Sequence, residues 1–189
     1  MFHQTRKLIL ASASPRRQYL LKEIGLTFTV DPPHIDESFP GDMPAENVPS
    51  YLAEKKAKAL LFKITDEIVV ASDTVVILKN KILNKPQDRN EAIEMLSRLS
   101  GNTHTVITAV CLLSQEKCEC FDDRTEVTFK TLSKEEIEFY VDHYKPYDKA
   151  GAYGAQDFIG MVAIEKIVGS YFTVMGLPVH QVYARLQSF

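Results

Sequence analysis

The sequence predicts an α/β protein, with a mixed β-sheet and helices packed around it. Short apolar runs of the kind that form buried strands alternate with amphipathic stretches bracketed by helix caps. Two apparent hairpins interrupt that alternation, so the sheet is not expected to be purely parallel. The composition is globular, with 189 residues, 45% apolar and 25% charged. That excludes wholesale disorder and suits a single domain over residues 1–189, or two small lobes sharing one core.

In order, Lys7–Ala11 reads as a buried strand. Ser14 at the N-cap and Pro15 at the first helical position open a helix with Leu20, Leu21 and Ile24 inward, and Gly25 ends it. Phe28–Val30 suits a second strand. Asp31–Ala45, with four prolines, one glycine and four carboxylates, is an acidic loop. A helix follows from about Asn47 to Phe62, burying Leu52, Leu60 and Leu61 and carrying Glu54, Lys55, Lys56 and Lys58 on its outer face. Glu67–Leu78 is a long strand, and Lys79-Asn80 turns it into Ile82-Leu83. Asp88 with Glu91 forms a capping box for a helix to Leu99, stopped by Gly101. Thr103–Leu113 is a strand, Gln115–Lys117 a turn, and Glu119–Thr131 one or two further strands. Ser133 with Glu136 is a second capping box, opening a helix to about Tyr144. Lys145–Asp157 is a loop rich in Gly, Pro, Tyr and Asp, Phe158–Val168 a strand, and Pro178–Leu186 a closing helix.

The formal charge of −3 argues against a protein whose main task is coating nucleic acid. The longest apolar run, Ala109–Leu113, is far too short for a membrane span. The opening residues resemble a signal peptide only superficially, because they run into Pro15-Arg16-Arg17, so a cytoplasmic protein is expected. Three cysteines, Cys111, Cys118 and Cys120, do not make a disulfide framework. Cys118-x-Cys120 offers two legs of a metal site, but no nearby His completes a tetrahedral set, and reduced strand or turn residues are the simpler reading.

The chain has no P-loop, dinucleotide fingerprint, nucleophile elbow or zincin motif, and its histidines (His3, His34, His104, His143, His180) fall in no ligand spacing. Four features carry chemistry. The first is a strand, then Ser12-Ala13-Ser14-Pro15-Arg16-Arg17, then a helix. Helix N–H groups, hydroxyls and two forked guanidinium groups have the physics of a phosphate cradle, although a plain N-cap with solvated arginines has the same pattern. The second is Asp73, a carboxylate inside an apolar strand, which is costly unless paired or metal-bound. Either the strand ends at a sheet edge there or Asp73 faces a polar site. The third is a set of lysines beside loops, Lys55 or Lys56, Lys85 and Lys149, each also readable as a solvated surface lysine. The fourth is the pair Asp36-Glu37, which near a phosphate site suggests a divalent cation. Together they suit a small, highly anionic ligand such as a nucleoside triphosphate, or an inorganic phosphate ester nearly as well.

Leu-Ala-Ser-x-Ser-Pro-Arg-Arg, Ala-Ser-Asp-Thr-Val-Val and Asn-Lys-Pro resemble the Maf family of nucleoside triphosphate pyrophosphatases. So do Leu-Ser-Gly-x-x-His-x-Val-x-Thr (Leu99–Thr108), Asp-Lys-Ala-Gly-Ala-Tyr-Gly-x-Gln (Asp148–Gln156), Gly169-Ser-Tyr and Val174-Met-Gly-Leu-Pro. The resemblance implies a curved mixed sheet similar to that of inosine-triphosphate pyrophosphatases, with two lobes around a cleft. It implies hydrolysis of a triphosphate to the monophosphate and pyrophosphate with Mg²⁺ or Mn²⁺, and a link with septum formation in bacterial division. Carried over by position, Asp73 looks like the proton acceptor, and Ser12, Arg16, Arg17, Lys56 and Lys85 look like phosphate and substrate contacts. Glu37, with Asp73, resembles the metal side, and Gln156 resembles a base-reading side chain. The pattern Leu-Ala-x-x-Lys-Ala falls on Lys56, next to Lys55. The combination of Arg16, Thr74 and Gln156 resembles the branch acting on dTTP and UTP.

Under that resemblance water attacks the α-phosphorus and pyrophosphate leaves, with Asp73 either orienting the water or ligating the metal. The rival class is a nucleotide-binding regulator of the division machinery with incidental catalysis. A full Asp, Lys and Arg set favours the enzyme, because a pure binder needs no base. A homodimer and a division-machinery partner are further expectations of the resemblance.

Overall fold

The computed structural model describes residues 4–189; His3 and the first residues of the opening segment lie outside the described residues. In chain order the elements are β1 (Leu8–Leu10), α1 (Pro15–Glu23), β2 (Phe28–Val30), α2 (Val48–Lys58), β3 (Ile68–Leu78), β4 (Lys81–Leu83) and α3 (Arg89–Leu99). There follow β5 (Thr103–Leu113), β6 (Cys118–Phe129), α4 (Lys134–Tyr144), α5 (Phe158–Ala163), β7 (Ile164–Val168), α6 (Tyr171–Met175) and α7 (Val179–Leu186). The strands form one sheet in the order β2-β1-β3-β5-β6-β7, with β4 paired to β3. β1 is parallel to both β2 and β3, whereas β4 on β3 and β7 on β6 are antiparallel. The sheet is therefore mixed, as the two hairpins require. No helix among the described residues is long and apolar enough to cross a membrane.

Two compact units are built from interleaved segments. The first takes the chain up to Asp73, Thr108–Asp123 and Gly176–Phe189. Its core joins Ala11, Val69, Ala71, Ala109, Cys111 and Leu113 to Ala53, Ala57, Leu60 and Ile64. Alanines at 53 and 57 on one face of α2 present only methyl groups to the packed strands. α2 ends at Lys58, and a short 3₁₀ turn over Leu61–Lys63 follows. The tighter turn keeps Leu60 and Ile64 buried and leaves Phe62 exposed, so the helix is shorter than its apolar residues suggest. Lys56, expected on the outer face of α2, is buried. The helix presents Leu52, Ala53, Lys56 and Ala57 together, at spacings that share one face.

The second unit takes Thr74–Ile107 and Arg124–Met175. Lys79 and Asn80, with φ of 49° and 63°, make the two-residue turn whose twist suits a hairpin, joining β3 to β4. Its core packs Leu96 and Leu99 of α3 with Phe129, Tyr140, Ile159 and Ala163. Ser133 and Glu136 form the reciprocal capping box at α4. At α3 the box is incomplete: Asp88 accepts from the Glu91 N–H, but the Glu91 carboxylate accepts from Gln87 N–H, one residue further out. His104 is a core residue. Its Nε2 lies 2.8 Å from the Tyr153 hydroxyl and its ring stands edge-on to Phe129 and Tyr153. Burial lowers its pKa to about 4, so it is neutral at pH 7.

Phe158–Val168 is not one strand. Residues 158–163 are helical, and only Ile164–Val168 is extended. The buried residues Ile159, Gly160 and Ala163 follow helical spacing, and a Cβ on Gly160 would come within 2.2 Å of the Ala155 carbonyl oxygen. The short helix α6 has no counterpart in the sequence reading.

After β7, Gly169 has φ +127°, and a Cβ there would meet Thr125 Oγ1 at 2.5 Å. The same hydroxyl accepts from Ser170 N–H at 2.9 Å and donates to Ser170 C=O at 3.1 Å. Gly169→Ala is expected to destabilise the protein by about 1–3 kcal/mol, the scale of a strained backbone position. Chemical denaturation checks this, and an unchanged midpoint would show that the turn relaxes freely.

Candidate active site

The first unit gathers its charged residues where β1 stops. The β1–β3 register ends with Leu10 opposite Val70, and Ala11 N–H donates to the Val70 carbonyl. Asp73 lies three residues further along β3, beyond the last β1 partner. β3 itself continues, so Asp73 faces a polar site within a strand rather than marking the strand's end. Such positions beyond the carboxyl ends of parallel strands are where α/β sheets leave room for ligands.

The chain leaving β1 enters the segment expected to be a phosphate cradle. Ser14 caps α1, its hydroxyl accepting from Arg17 N–H, and Pro15 occupies the first turn. Ser12 is buried, and its Oγ accepts from Ser14 N–H and from Arg17 Nη1, both at 3.2 Å. With both lone pairs engaged, its own O–H remains to donate to a ligand. Arg17 also donates from Nη1 to the Ser72 carbonyl at 2.8 Å and from Nε to the Gly176 carbonyl at 2.9 Å. Ser72 Oγ donates to that same Gly176 carbonyl. Burial lowers the Arg17 pKa, with nearby Asp73 acting in the opposite direction; a guanidinium stays charged at neutral pH regardless. Ser72 and Gly176 were not singled out as site residues in the sequence. The Val174-Met-Gly-Leu-Pro motif was the available signal, but nothing in it shows that a backbone carbonyl would clamp an arginine.

Lys56 donates from Nζ to Asp73 Oδ1 at 2.6 Å and pairs with Glu37 Oε1 at 2.9 Å. The Lys56 and Asp73 side chains are 11% and 12% exposed, and that of Glu37 is 50% exposed. Burial raises the Asp73 pKa; Lys56 and then Arg17 oppose the rise, and Glu37 adds to it. The geometry separates neighbours that the sequence could not. Lys55 donates to the Ser38 carbonyl at 3.2 Å and lies over the Tyr51 ring, whereas Lys56 reaches Asp73. Asp36 turns to Ser38, accepting from its N–H and hydroxyl, whereas Glu37 reaches Lys56. Arg16 lies half-buried in the first turn of α1. Asp73 and Glu37 are thus the hard oxygen donors available to a divalent cation.

The other expected site residues belong to the second unit. Thr74 is half-buried on β3, while Lys85 and Gln156 are exposed. The Asn84 carbonyl accepts from Gly151 N–H at 3.1 Å, tying the Asn-Lys-Pro segment to the glycine-rich loop. That loop is held from beneath: Tyr140 OH donates to Asp157 Oδ2 at 2.9 Å and accepts from Gly154 N–H. Lys149 is not a solvated lysine. Its side chain is 13% exposed, and its ammonium pairs with Asp148 at 2.8 Å and lies 3.7 Å from Asp157.

The family model described as Maf-like protein matches residues 7–189. A curated relative from Bacteroides fragilis, named dTTP/UTP pyrophosphatase, is 46% identical over 183 residues, covering 96% of this chain and 95% of its own. A Porphyromonas gingivalis protein of the same name is 46% identical over 187 residues, covering 97% and 94%. Among solved structures, the Staphylococcus aureus Ham1 protein superposes with a TM-score of 0.54 at 14% identity, covering 95% of this chain and 98% of its own. A HAM1 protein from Coxiella burnetii gives 0.50 at 14% identity, covering 98% and 100%. Both structures share the fold.

Lys56→Met removes the cation between the two carboxylates. Breaking such a buried pair is expected to cost about 3–5 kcal/mol at neutral pH. Asp73 should then titrate at higher pH than in the wild type, because burial is less opposed. A carboxyl whose folded pKa is raised stabilises the fold below its unfolded pKa and loses that stability as pH rises through the folded value. The penalty of the substitution should therefore shrink on acidification. Denaturation across the pH range with carboxyl NMR titration checks both; an equal penalty at every pH would show that Asp73 is not coupled to Lys56.

Proposed function

The chain belongs to the Maf-like protein family, and from that premise we propose that it hydrolyses dTTP and UTP between the α and β phosphates, releasing the monophosphate and pyrophosphate. The observation that carries this reading is the buried Lys56–Asp73 pair at the end of β1, beside Ser12 and Arg17. It supplies a base within a cationic anion-binding set, which phosphoryl chemistry needs for positioning and charge neutralisation. The relatives named dTTP/UTP pyrophosphatase support the substrate class.

Ser12 O–H, the first-turn residues of α1 and Arg17 receive phosphate oxygens. Lys56 turns from carboxylate to phosphate oxygen as the triphosphate binds. Asp73, whose pKa burial raises, then accepts the proton of the attacking water. Asp73 and Glu37 suit Mg²⁺ or Mn²⁺, because both carboxylates converge within 2.9 Å of a single positive charge and Mg²⁺ takes one or two carboxylates with substrate phosphates. When bound, such a cation neutralises phosphate charge. The family resemblance assigns Lys85 a phosphate contact, and Arg16, Thr74 and Gln156 the reading of the base. Uracil and thymine share an acceptor–donor–acceptor edge, and the Gln156 amide pairs with N3–H and a neighbouring carbonyl. An effect on septum formation would follow from the same chemistry, through the pool of pyrimidine triphosphates.

Phosphorus NMR of the products of dTTP tests the bond cleaved: pyrophosphate with monophosphate is expected, and orthophosphate with diphosphate would overturn the proposal. Asp73→Asn should fold, as judged by circular dichroism, and lose about 10²–10⁴-fold in kcat, the scale of a general base. A loss of only a few-fold would make Asp73 structural.

Gln156→Glu exchanges an amide donor for an acceptor. A mismatch of this kind costs about 1–3 kcal/mol, so the dTTP-to-CTP activity ratio should fall by roughly ten- to a hundredfold. A ratio equal to that of the wild type would remove Gln156 from base reading.

A further inference from the structure

We propose that Cys111, Cys118 and Cys120 form a thiolate site for a soft d¹⁰ cation of the Zn²⁺ class, on one face of the β5–β6 hairpin. The turn closes where Ser114 N–H donates to the Lys117 carbonyl at 2.8 Å. Counting back from that pair sets Leu113 opposite Cys118 and Cys111 opposite Cys120. Directly opposed residues of an antiparallel pair share a face, and so do residues two apart along a strand. All three thiols therefore project from the same side. Their sulfur atoms lie within 4.8 Å of one another, and Cys111 and Cys118 are separated by 3.6 Å. A tetrahedral ion with metal–sulfur bonds of about 2.3 Å holds its sulfur ligands about 3.8 Å apart. The cluster is close to that spacing before any ion binds.

The surroundings suit a cation that enters from outside. Cys111 is buried in the core of the first unit, whereas Cys118 and Cys120 are exposed. The buried thiol anchors the site, the exposed ones give access, and solvent fills the fourth position. Cys120 accepts a hydrogen bond from Cys111, which lowers its pKa. Donating that bond, with burial, pushes the Cys111 thiol up, and burial pushes Cys118 up. Cys120 is therefore the readiest thiolate, and the other two protons leave only as the cation binds. The neighbouring charges come from α2: Glu54 and Lys58, paired with each other at 2.5 Å, both act on the cluster. Three thiolates on a divalent ion leave one net negative charge, which the Lys58 ammonium opposes. A disulfide would use two of the three sulfurs and leave the third unexplained. The site is chemically distinct from Asp73 and Glu37, because sulfur selects soft cations where carboxylate oxygen selects Mg²⁺ or Mn²⁺. Binding breaks each S–H bond, forms a metal–sulfur bond and passes the proton to solvent, with no change in oxidation state.

The test is titration of the reduced full-length protein with Cd²⁺, followed by thiolate-to-cadmium charge-transfer absorption, with Zn²⁺ competing for the site. Expected are one cation per chain, a band of three thiolates, proton release, and no displacement by excess Mg²⁺. Cys118→Ser and Cys120→Ser should fold, keep the basal activity and each bind at least about tenfold more weakly; that is the lower end of the effect of removing a mere outer-shell partner. A band of two thiolates or fewer, or unchanged affinity in both variants, would overturn the proposal. So would a disulfide between any two of the cysteines in protein purified without reductant.

Discussion

The carboxylate of Asp73 is the constraint on which the first unit depends. It follows a run of five buried residues, Ile68 to Ser72, on a strand with neighbours on both sides in the sheet order. An uncompensated carboxylate in such a place costs several kcal/mol, so the surrounding segments are fixed by how they compensate it. β1 ends at Leu10, three residues short of reaching it. α2 turns one lysine inward with Leu52, Ala53 and Ala57, and that lysine meets the carboxylate at 2.6 Å. The small side chains of α2 matter here too, because a helix held farther from the strands would leave the lysine short of its partner.

Arg17 answers the same constraint differently. Three of its contacts go to neutral oxygens, those of Ser12 Oγ, Ser72 C=O and Gly176 C=O. They hold the guanidinium in one orientation through backbone that cannot move independently of the fold. Lys56 is held by carboxylates and is therefore the cation whose partners can be exchanged, whereas Arg17 is a fixed part of the wall. A flexible ammonium and a rigid forked guanidinium suit these two tasks.

Most elements were legible because their signals are local. Ser14-Pro15, the Ser133/Glu136 box and the Lys79-Asn80 turn each fix backbone within a few residues, and the structure places all three as read. Phe158–Val168 was misread because FIGMVA is apolar throughout and carries neither period strongly; the close approach of Gly160 to the Ala155 carbonyl, five residues back, shows only in the folded backbone. Among site residues, Asp73 was legible as a charge out of place in an apolar strand. The choice between Lys55 and Lys56, and between Asp36 and Glu37, was not, since adjacent like residues differ only in the direction they face. The carbonyls of Ser72 and Gly176 were invisible for a deeper reason: backbone carbonyls carry no side-chain identity. Of the cysteine cluster, Cys118-x-Cys120 was legible as a pair, but the third thiol was not, because Cys111 is seven residues from Cys118 and only the hairpin register brings them together.

The charge balance of the cluster bears on what can bind there. Asp73 and Glu37 set two negative charges against the positive charges of Lys56 and Arg17, and with Arg16 beside Arg17 the group keeps only a small positive excess. A polyphosphate brought to so weakly charged a cluster gains little from long-range attraction and must draw most of its stabilisation from short, directed contacts. Ser12 and the α1 N-terminus supply such contacts without adding formal charge. The two carboxylates would repel the incoming phosphates if they stayed exposed to them, and a divalent cation bound by both would reverse that repulsion. The acidic loop carrying Glu37 and the buried Asp73 would then be two halves of one requirement. Under the proposed function, a divalent cation would take the place that the Lys56 ammonium holds between the two carboxylates in the free protein. Lys56 would then be free to follow the phosphates, a task that suits a flexible ammonium better than a rigid guanidinium.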